Sequence, residues 1–453
     1  MARKVFISFL GGTNYRYCDY QKNDRSYGNV RFIQEATLNY LNVNEEWSRD
    51  DVALILLTKG AEESNWRDNG QINEKTGELI RDEVTLGKLE GLESRLKQFD
   101  IQKKPVFNLP DGNDEKEIWT IFDKTFQQIH EGDELYFDIT HGFRYLPMLV
   151  LVLCNYSRFL KKVKIRSITY GNYEVARSKG HGLIVDLLPL SQLQDWTYAA
   201  GTYLESGDAD ELVEMSEIGY SDFALLLKDT IADFHTCRGI SIIESTKIKK
   251  IKSIMSSMDC LDVPPLKYVF DEVEKDFSNY DDYQNVKNGY ESAKWCFRNH
   301  LYQQAITILI ETVISDICIC EGLEWKRRKM REMASNALFI VANNTPEKGW
   351  KIVSDTKDKD KYNPDYLEML ANDPESLNLI DERIKYKYKY YTDLMICRQV
   401  VNSQRTKDLV ELSTMIKDVR DDLDHAGMRN GARTFAEIEE LMRIIFEKLD
   451  SVM

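Results

Sequence analysis

Within seven residues, Asp138-Ile139-Thr140-His141-Gly142-Phe143-Arg144, the chain gathers an acid, a hydroxyl, an imidazole, a glycine and a guanidinium. The apolar run Leu135–Ile139 predicts a strand that ends there, and Phe143–Leu160 predicts the helix that follows. A helix N-terminus presents free N–H groups and the positive end of its dipole, which suits a phosphate. Gly142 allows close backbone approach, and Arg144 can grip a phosphate with two N–H groups. His141 can donate to a phosphate or stack on a base. Asp138 either holds the loop or accepts from a sugar hydroxyl. Thr140 could also serve simply as a helix cap. Two other strand ends carry similar residues. Gly11-Gly12-Thr13-Asn14 follows a strand expected at Val5–Leu10, and Tyr170-Gly171 closes one expected at Ile165–Tyr170. Ligands of open parallel sheets bind beyond such carboxyl ends.

A second constellation lies near the other end of the chain, in Arg420-Asp421-Asp422-Leu423-Asp424-His425. An arginine and a histidine suffice for metal-free RNA cleavage. The histidine moves a proton between the 2′-hydroxyl, water and the leaving 5′-oxygen, and the arginine stabilises the charge that builds on phosphorus. The stripe Leu409, Leu412, Ile416, Val419 and Leu423 predicts the helix that carries them, with Gly427 as its stop. The plain alternative is a surface arginine paired with Asp421 or Asp424 beside a helix-terminal histidine. Two basic stretches, Lys326–Arg331 and Lys385–Tyr391, read as solvated helix faces. The second interleaves tyrosines in a way that suits single-stranded RNA.

The elements that must position these residues differ between the two ends of the chain. Sixteen of the 23 glycines lie in the first 207 of 453 residues. There, short apolar runs (Val5–Leu10, Val52–Thr58, Leu135–Ile139, Ile165–Tyr170, and more weakly Val106–Leu109) alternate with helical patterns at Val30–Leu41, Leu79–Phe99, Glu115–His130 and Phe143–Leu160. That alternation implies a parallel sheet covered on both faces, with Leu183–Leu188 as an edge strand. Beyond about residue 190 helical periodicity takes over, interrupted by a solvated insertion at Asn343–Ser376. With 60 basic and 75 acidic residues the net charge is −15, which argues against coating nucleic acid by bulk charge. No signal peptide and no uninterrupted apolar run of membrane length is apparent. The eight cysteines form no C-x-x-C pair, so reduced thiols in a cytoplasmic protein are expected and a zinc site is not. A G-x-x-x-x-G-K-[ST] loop is missing, which disfavours a P-loop NTPase.

Taken together, Asp138-Ile139-Thr140-His141-Gly142, the opening Ile7–Tyr15, Arg420 to His425 and the helix around Phe297–Ala305 resemble the CARF–HEPN proteins of type III CRISPR systems. The resemblance implies an α/β, Rossmann-like CARF domain with a mostly parallel sheet over 1–190. A helical connecting region at 191–285 and an all-α HEPN domain at 286–453 would follow. It further implies a homodimer or higher homo-oligomer whose CARF pocket takes a cyclic oligoadenylate, by family habit cyclic tetra-adenylate and otherwise cyclic hexa-adenylate. Gly11, Gly12, Thr13, Asn14, Asp138, Thr140, His141, Gly142, Arg144, Tyr170 and Gly171 would form that pocket. Arg420 and His425 would cut single-stranded RNA without metal, leaving 2′,3′-cyclic phosphate ends. Many HEPN motifs carry Asn directly after the arginine, where this chain has Asp421. The alternatives are a non-catalytic cyclic-oligoadenylate sensor or dimerisation module, and a CARF domain that degrades its own activator through a 2′-hydroxyl placed by Thr13 or Thr140.

Overall fold

The structure is a computed structural model that describes residues 2–73, 75–83, 86–142, 144–215, 221–257, 264–354, 382–425, 427–428 and 431–452. The chain divides into two compact units, Met1–Gln194 and Asp195–Met453.

The first unit is built on one eight-stranded sheet. Its strands are β1 (Lys4–Phe9), β2 (Cys18–Lys22), β3 (Arg25–Val30), β4 (Val52–Thr58), β5 (Gln102–Leu109), β6 (Glu134–Asp138), β7 (Lys164–Asn172) and β8 (Gly182–Asp186). They lie in the order β3-β2-β8-β7-β6-β1-β4-β5. The β7-β6-β1-β4-β5 block is parallel throughout. Strand alternation sends Val5, Ile7 and Phe9 to one face, under helices α2 (Glu115–Phe126) and α3 (Leu146–Lys161). Phe6 and Leu10 go to the other face, with Phe32 and Leu38 of the α1 (Ile33–Tyr40) region. Burial on both faces explains the unbroken apolar runs of β1 and β4. The mostly parallel α/β reading therefore holds.

Three details differ from the expectation. Strand β8 is not an edge. It pairs antiparallel with β7 and parallel with β2, and the β2–β3 hairpin forms the rim. That hairpin (Cys-Asp-Tyr-Gln-Lys, then Arg-Ser-Tyr-Gly-Asn-Val) is too polar to show as strands, and Asn23 at φ 52° makes its turn. Second, Leu79–Phe99 is not a helix. Among its described residues it forms a single bridge, Ile72 to Leu79, and two short helical turns, Leu92–Arg95 and Leu96–Gln98. Gly91, the extended residue before the first turn, lies so close to the Trp66 carbonyl oxygen that a Cβ there would come within 2.3 Å of it. Third, β5 begins at Gln102. Lys103, Lys104 and Pro105 hide its first half from an apolar-run search and guard an exposed edge.

The second unit is helical. Its principal helices in the part bearing Arg420 are α4 (Val286–Arg298), α5 (Tyr302–Cys320), α6 (Arg328–Ala342), α7 (Glu382–Asn402), α8 (Gln404–Asp424) and α9 (Phe435–Val452). Helix α5 is long and apolar enough to cross a membrane by length and composition, yet most of it is buried inside the unit. It packs against α4, α6 and α8. Asp316 of α5 ties three helices together. It accepts from the Tyr290 hydroxyl of α4 at 2.7 Å and from Arg405 Nη2 of α8 at 2.6 Å. The stripe Leu409, Leu412, Ile416 and Val419 is the buried face of α8, as its spacing requires. Most of the expected insertion, 355–376, lies outside the described residues, as does Phe143.

Candidate functional site

The first helix after β1, α1, packs on one face of the sheet, and α3, which follows the adjacent β6, packs on the other. This is the switch point of the sheet, where a crevice opens beyond the strand ends. The residues there form one hydrogen-bonded chain. Ser8 Oγ of β1 donates to Asp138 Oδ2 of β6 at 2.7 Å. Gln34 Nε2 donates to Ser8 Oγ at 3.0 Å and to the Phe9 carbonyl at 3.1 Å. Asp138 Oδ1 accepts from the Thr140 amide at 3.1 Å and the Thr140 hydroxyl at 2.5 Å. Thr140 Oγ1 in turn accepts from the Gly171 amide at 2.7 Å. The ends of β1, β6 and β7 are thereby tied to the loop after β6.

This network corrects two expected contact residues. Asp138 is 1% exposed and both its oxygens are engaged, so of its two readings it takes the loop-holding one. Burial raises its pKa against the opposing pull of the hydrogen bonds from Thr140 and Ser8. Gly171 is buried as well. A Cβ there would lie 2.5 Å from the Ile33 side chain, so it shapes the site without facing it. Nor does Thr140 cap a helix. Helix α3 starts at Leu146 with Pro147 in its first turn and no side-chain cap.

The loop after β1 is held from beneath by residues with no motif. Asn65, fully buried, donates through Nδ2 to the carbonyls of Gly11 and Thr13, both at 2.8 Å. Its Oδ1 accepts from Arg31 Nη2 at 3.1 Å and Gln71 Nε2 at 3.0 Å. All four hydrogen-bonding positions of that amide are thus used. Gly12, Thr13 and Asn14 are left exposed, with Gly11 half-buried. Across from them Gly142 takes φ 125°, which only glycine tolerates, and a Cβ there would also lie 2.9 Å from Leu146 Cδ2. Arg144 is exposed in the turn before α3, and Tyr170 is half-buried at the end of β7. His141 lies against the Tyr15 ring, centroid to centroid 4.4 Å at a 36° tilt.

Desolvation lowers the His141 pKa from 6.5 to about 4, so the ring is neutral at pH 7. The folded state binds this proton less readily than the unfolded chain. The associated stability is therefore complete above about pH 6.5 and is lost as pH falls toward 4. Thermal melts of the wild type should lose about 1–2 kcal/mol over that window, allowing for screening at a half-buried ring. His141→Gln should flatten the acid limb; an unchanged slope would place the titration elsewhere.

The family described as "CRISPR system endoribonuclease Csx1, CARF domain" matches residues 5–174, the span that holds Ser8, Asp138, Thr140 and Gly171. The first unit thus carries a match to the CARF domain of a CRISPR-associated family. The chain is also 26% identical over 339 residues to "CRISPR-associated protein MJ1674" of Methanocaldococcus jannaschii. That alignment covers 67% of this chain and 50% of the relative, so the chain spans about half the length of the protein it matches. CARF domains as a class bind cyclic oligoadenylate, and the crevice described above lies within the matched span.

The second candidate site lies outside the CARF match, at the end of α8. Arg420 is half-buried and His425, the C-terminal cap of the helix, is exposed. Arg420 Nε lies 3.5 Å from Asp424 Oδ2, and its Nη2 lies 3.8 Å from Asp421 Oδ1. The carboxylate pairing expected of an ordinary surface arginine is thus present, at ion-pair range. Gln303 Nε2 of α5 reaches Asp424 Oδ1 at 3.4 Å, which brings the start of α5 beside the motif. The turn beyond α8 is fixed by the buried Asp422, which accepts from the Arg433 amide at 3.0 Å. Of the basic stretches, Lys326–Arg331 is engaged in ion pairs, including Arg328 with Glu332 at 2.8 Å and Lys326 with Glu244. It forms a paired face, not an open groove. The side chains of Lys385–Tyr391 lie outside the described residues, although α7 runs through them.

Proposed function

We propose that this protein is a cyclic-oligoadenylate-activated, metal-independent endoribonuclease of type III CRISPR defence, acting as a homodimer. The observation that carries the sensing half is the joining of the β1, β6 and β7 strand ends at the switch point through Ser8, Asp138, Thr140 and Gly171. A cyclic oligoadenylate, tetra-adenylate first and hexa-adenylate second, would meet Gly11, Gly12, Thr13, Asn14, His141, Gly142, Arg144 and Tyr170 there. Residues 286–453 are read as the HEPN part. In it His425 removes the proton from the 2′-hydroxyl, and that oxygen attacks the adjacent phosphorus. The 5′-oxygen leaves with a proton, giving a 2′,3′-cyclic phosphate and a 5′-hydroxyl. Arg420 faces the charge that gathers on the non-bridging oxygens. A second protomer would bring a second Arg–His pair to the same phosphate.

The pairing of Arg420 with Asp424 and Asp421 also favours a second reading, a sensor whose helical unit does not cut RNA. One assay separates them. Purified protein is incubated with labelled single-stranded RNA in EDTA, with and without cyclic tetra- or hexa-adenylate. Cleavage only with activator, leaving cyclic phosphate ends, is expected. RNA left intact under every condition, despite measurable activator binding, would leave the sensor reading.

A further inference from the structure

The rim hairpin carries a second opening, at the same edge of the sheet as the crevice. Strand β7 ends at this edge and the antiparallel β8 runs back from it, so β2 begins there and β3 ends there. Between them lies a cavity of about 380 Å³, lined by Tyr17, Asp19 and Asn29 on the hairpin side and by Tyr173 and Arg177 beyond β7. The chain ties it to the crevice on both sides. Tyr17 follows the exposed Gly12 to Asn14, and Tyr173 lies two residues past Gly171, whose amide holds Thr140. The hairpin is bulged here, with Gly28 and Asn29 opposite the single residue Asp19. Asp19 is exposed. Its Oδ1 accepts from the Asn29 amide at 2.6 Å, and among the described residues no donor reaches its Oδ2. Tyr17 is held by its hydroxyl, which donates to Asp82 at 2.5 Å. Arg177 is already paired with Glu174 at 3.4 Å.

We propose that this cavity seats one adenine base of the activator, with Asp19 Oδ2 accepting from the exocyclic amino group. This deepens the sensing half of the reading above and rests on it. Charge argues for a base over a phosphate. A phosphate here would face the Asp19 carboxylate with the nearby guanidinium of Arg177 already engaged by Glu174. A carboxylate only accepts, so it calls for a neutral group that donates. Adenine offers such a donor at its amino nitrogen. Its flat faces suit a cavity with two tyrosines in its wall, Tyr17 and the partly exposed Tyr173. The cavity stands at the small end of ligand pockets, so it takes a base and not the whole cyclic molecule. The sugar–phosphate ring then stays over Gly11 to Asn14 and Arg144, and the hairpin reads the base that projects from it.

The test is calorimetric titration of the full chain with cyclic tetra- and hexa-adenylate and with the same rings built from inosine, whose base carries a carbonyl where adenine carries the amino group. The unaltered protein should bind the adenylate rings roughly 10- to 100-fold more tightly, the range of a hydrogen bond to a charged acceptor. Asp19→Asn keeps an oxygen for the Asn29 amide and offers an N–H where the carboxylate only accepted. Its preference for adenine should shrink below about threefold or reverse. Both rings are compared within each protein, so a general loss of stability does not imitate this effect. Tyr173→Ala should instead weaken both rings about tenfold, as for loss of one stacked base, and keep the preference. Equal affinity of the unaltered protein for the two kinds of ring overturns the inference. So does a preference retained in Asp19→Asn, which would put a ribose hydroxyl or nothing on the carboxylate, and so does unchanged binding in Tyr173→Ala. Each of these leaves the sensor reading intact. Failure of the unaltered protein to bind either adenylate ring overturns both.

Discussion

His425→Ala is expected to remove activator-dependent cleavage of single-stranded RNA almost completely, by about 10²- to 10⁴-fold, the range of a positioned general base. Arg420→Ala is expected to cost about 10²- to 10³-fold, as for loss of one preorganised group facing the transition-state charge. The double variant should be little worse than His425→Ala alone, because groups that act as a unit do not add. Neither change should disturb folding. His425 is exposed at the helix end, and the partners of Arg420 are half-exposed carboxylates of its own helix, a kind of pair worth at most about 1 kcal/mol. Activator binding should also be unaffected, since both residues lie outside the matched CARF span. The measurement is a single-turnover cleavage rate in EDTA, with the activator titration as control. Full activity in His425→Ala would sink the assigned roles.

The sequence was most readable where burial is complete. Strands β1 and β4 are covered on both faces, so Val5–Leu10 and Val52–Thr58 show as continuous apolar runs. The rim was unreadable for the opposite reason. The β2–β3 hairpin is half-exposed and polar, and its pairing with β8 is a long-range event that local pattern does not record. The candidate pocket divides in the same way. Its glycines, His141 and Thr140 stand together in short motifs at strand ends. Asn65 and Arg31, which fix the β1 loop from beneath, lie in irregular or charged surroundings with no periodicity to mark them. Ser8 left a trace, as the single polar residue inside the apolar run of β1. Asp138 illustrates a further limit. An acid beside a threonine and a histidine could face a ligand or the protein, and only its burial under the hydrogen bonds from Ser8 and Thr140 decides the question.

That decision has a measurable consequence. Asp138→Ala would leave the Thr140 hydroxyl without its acceptor and open a gap beside the buried Ser8, between β1 and β6. The expected loss is about 2–4 kcal/mol, as for a buried polar network broken at its centre. In a unit of this size that corresponds to a fall of roughly 5–15 °C in its melting temperature. Activator binding should be lost with it, because Thr140 would no longer be held against the Gly171 amide. Asp138→Asn should be much milder. An amide oxygen can still accept from Thr140, and an amide nitrogen can donate to Ser8 Oγ. Ser8 would then turn its proton to the Phe9 carbonyl, already 3.3 Å away. The asparagine also escapes the desolvation that raises the pKa of the native carboxyl. The order wild type, Asn, Ala should therefore hold in both melting temperature and activator affinity. A ligand-facing Asp138 would behave differently: the asparagine would bind activator as poorly as the alanine while melting like the wild type. The two variants together thus separate an acid that builds the pocket from one that touches what enters it.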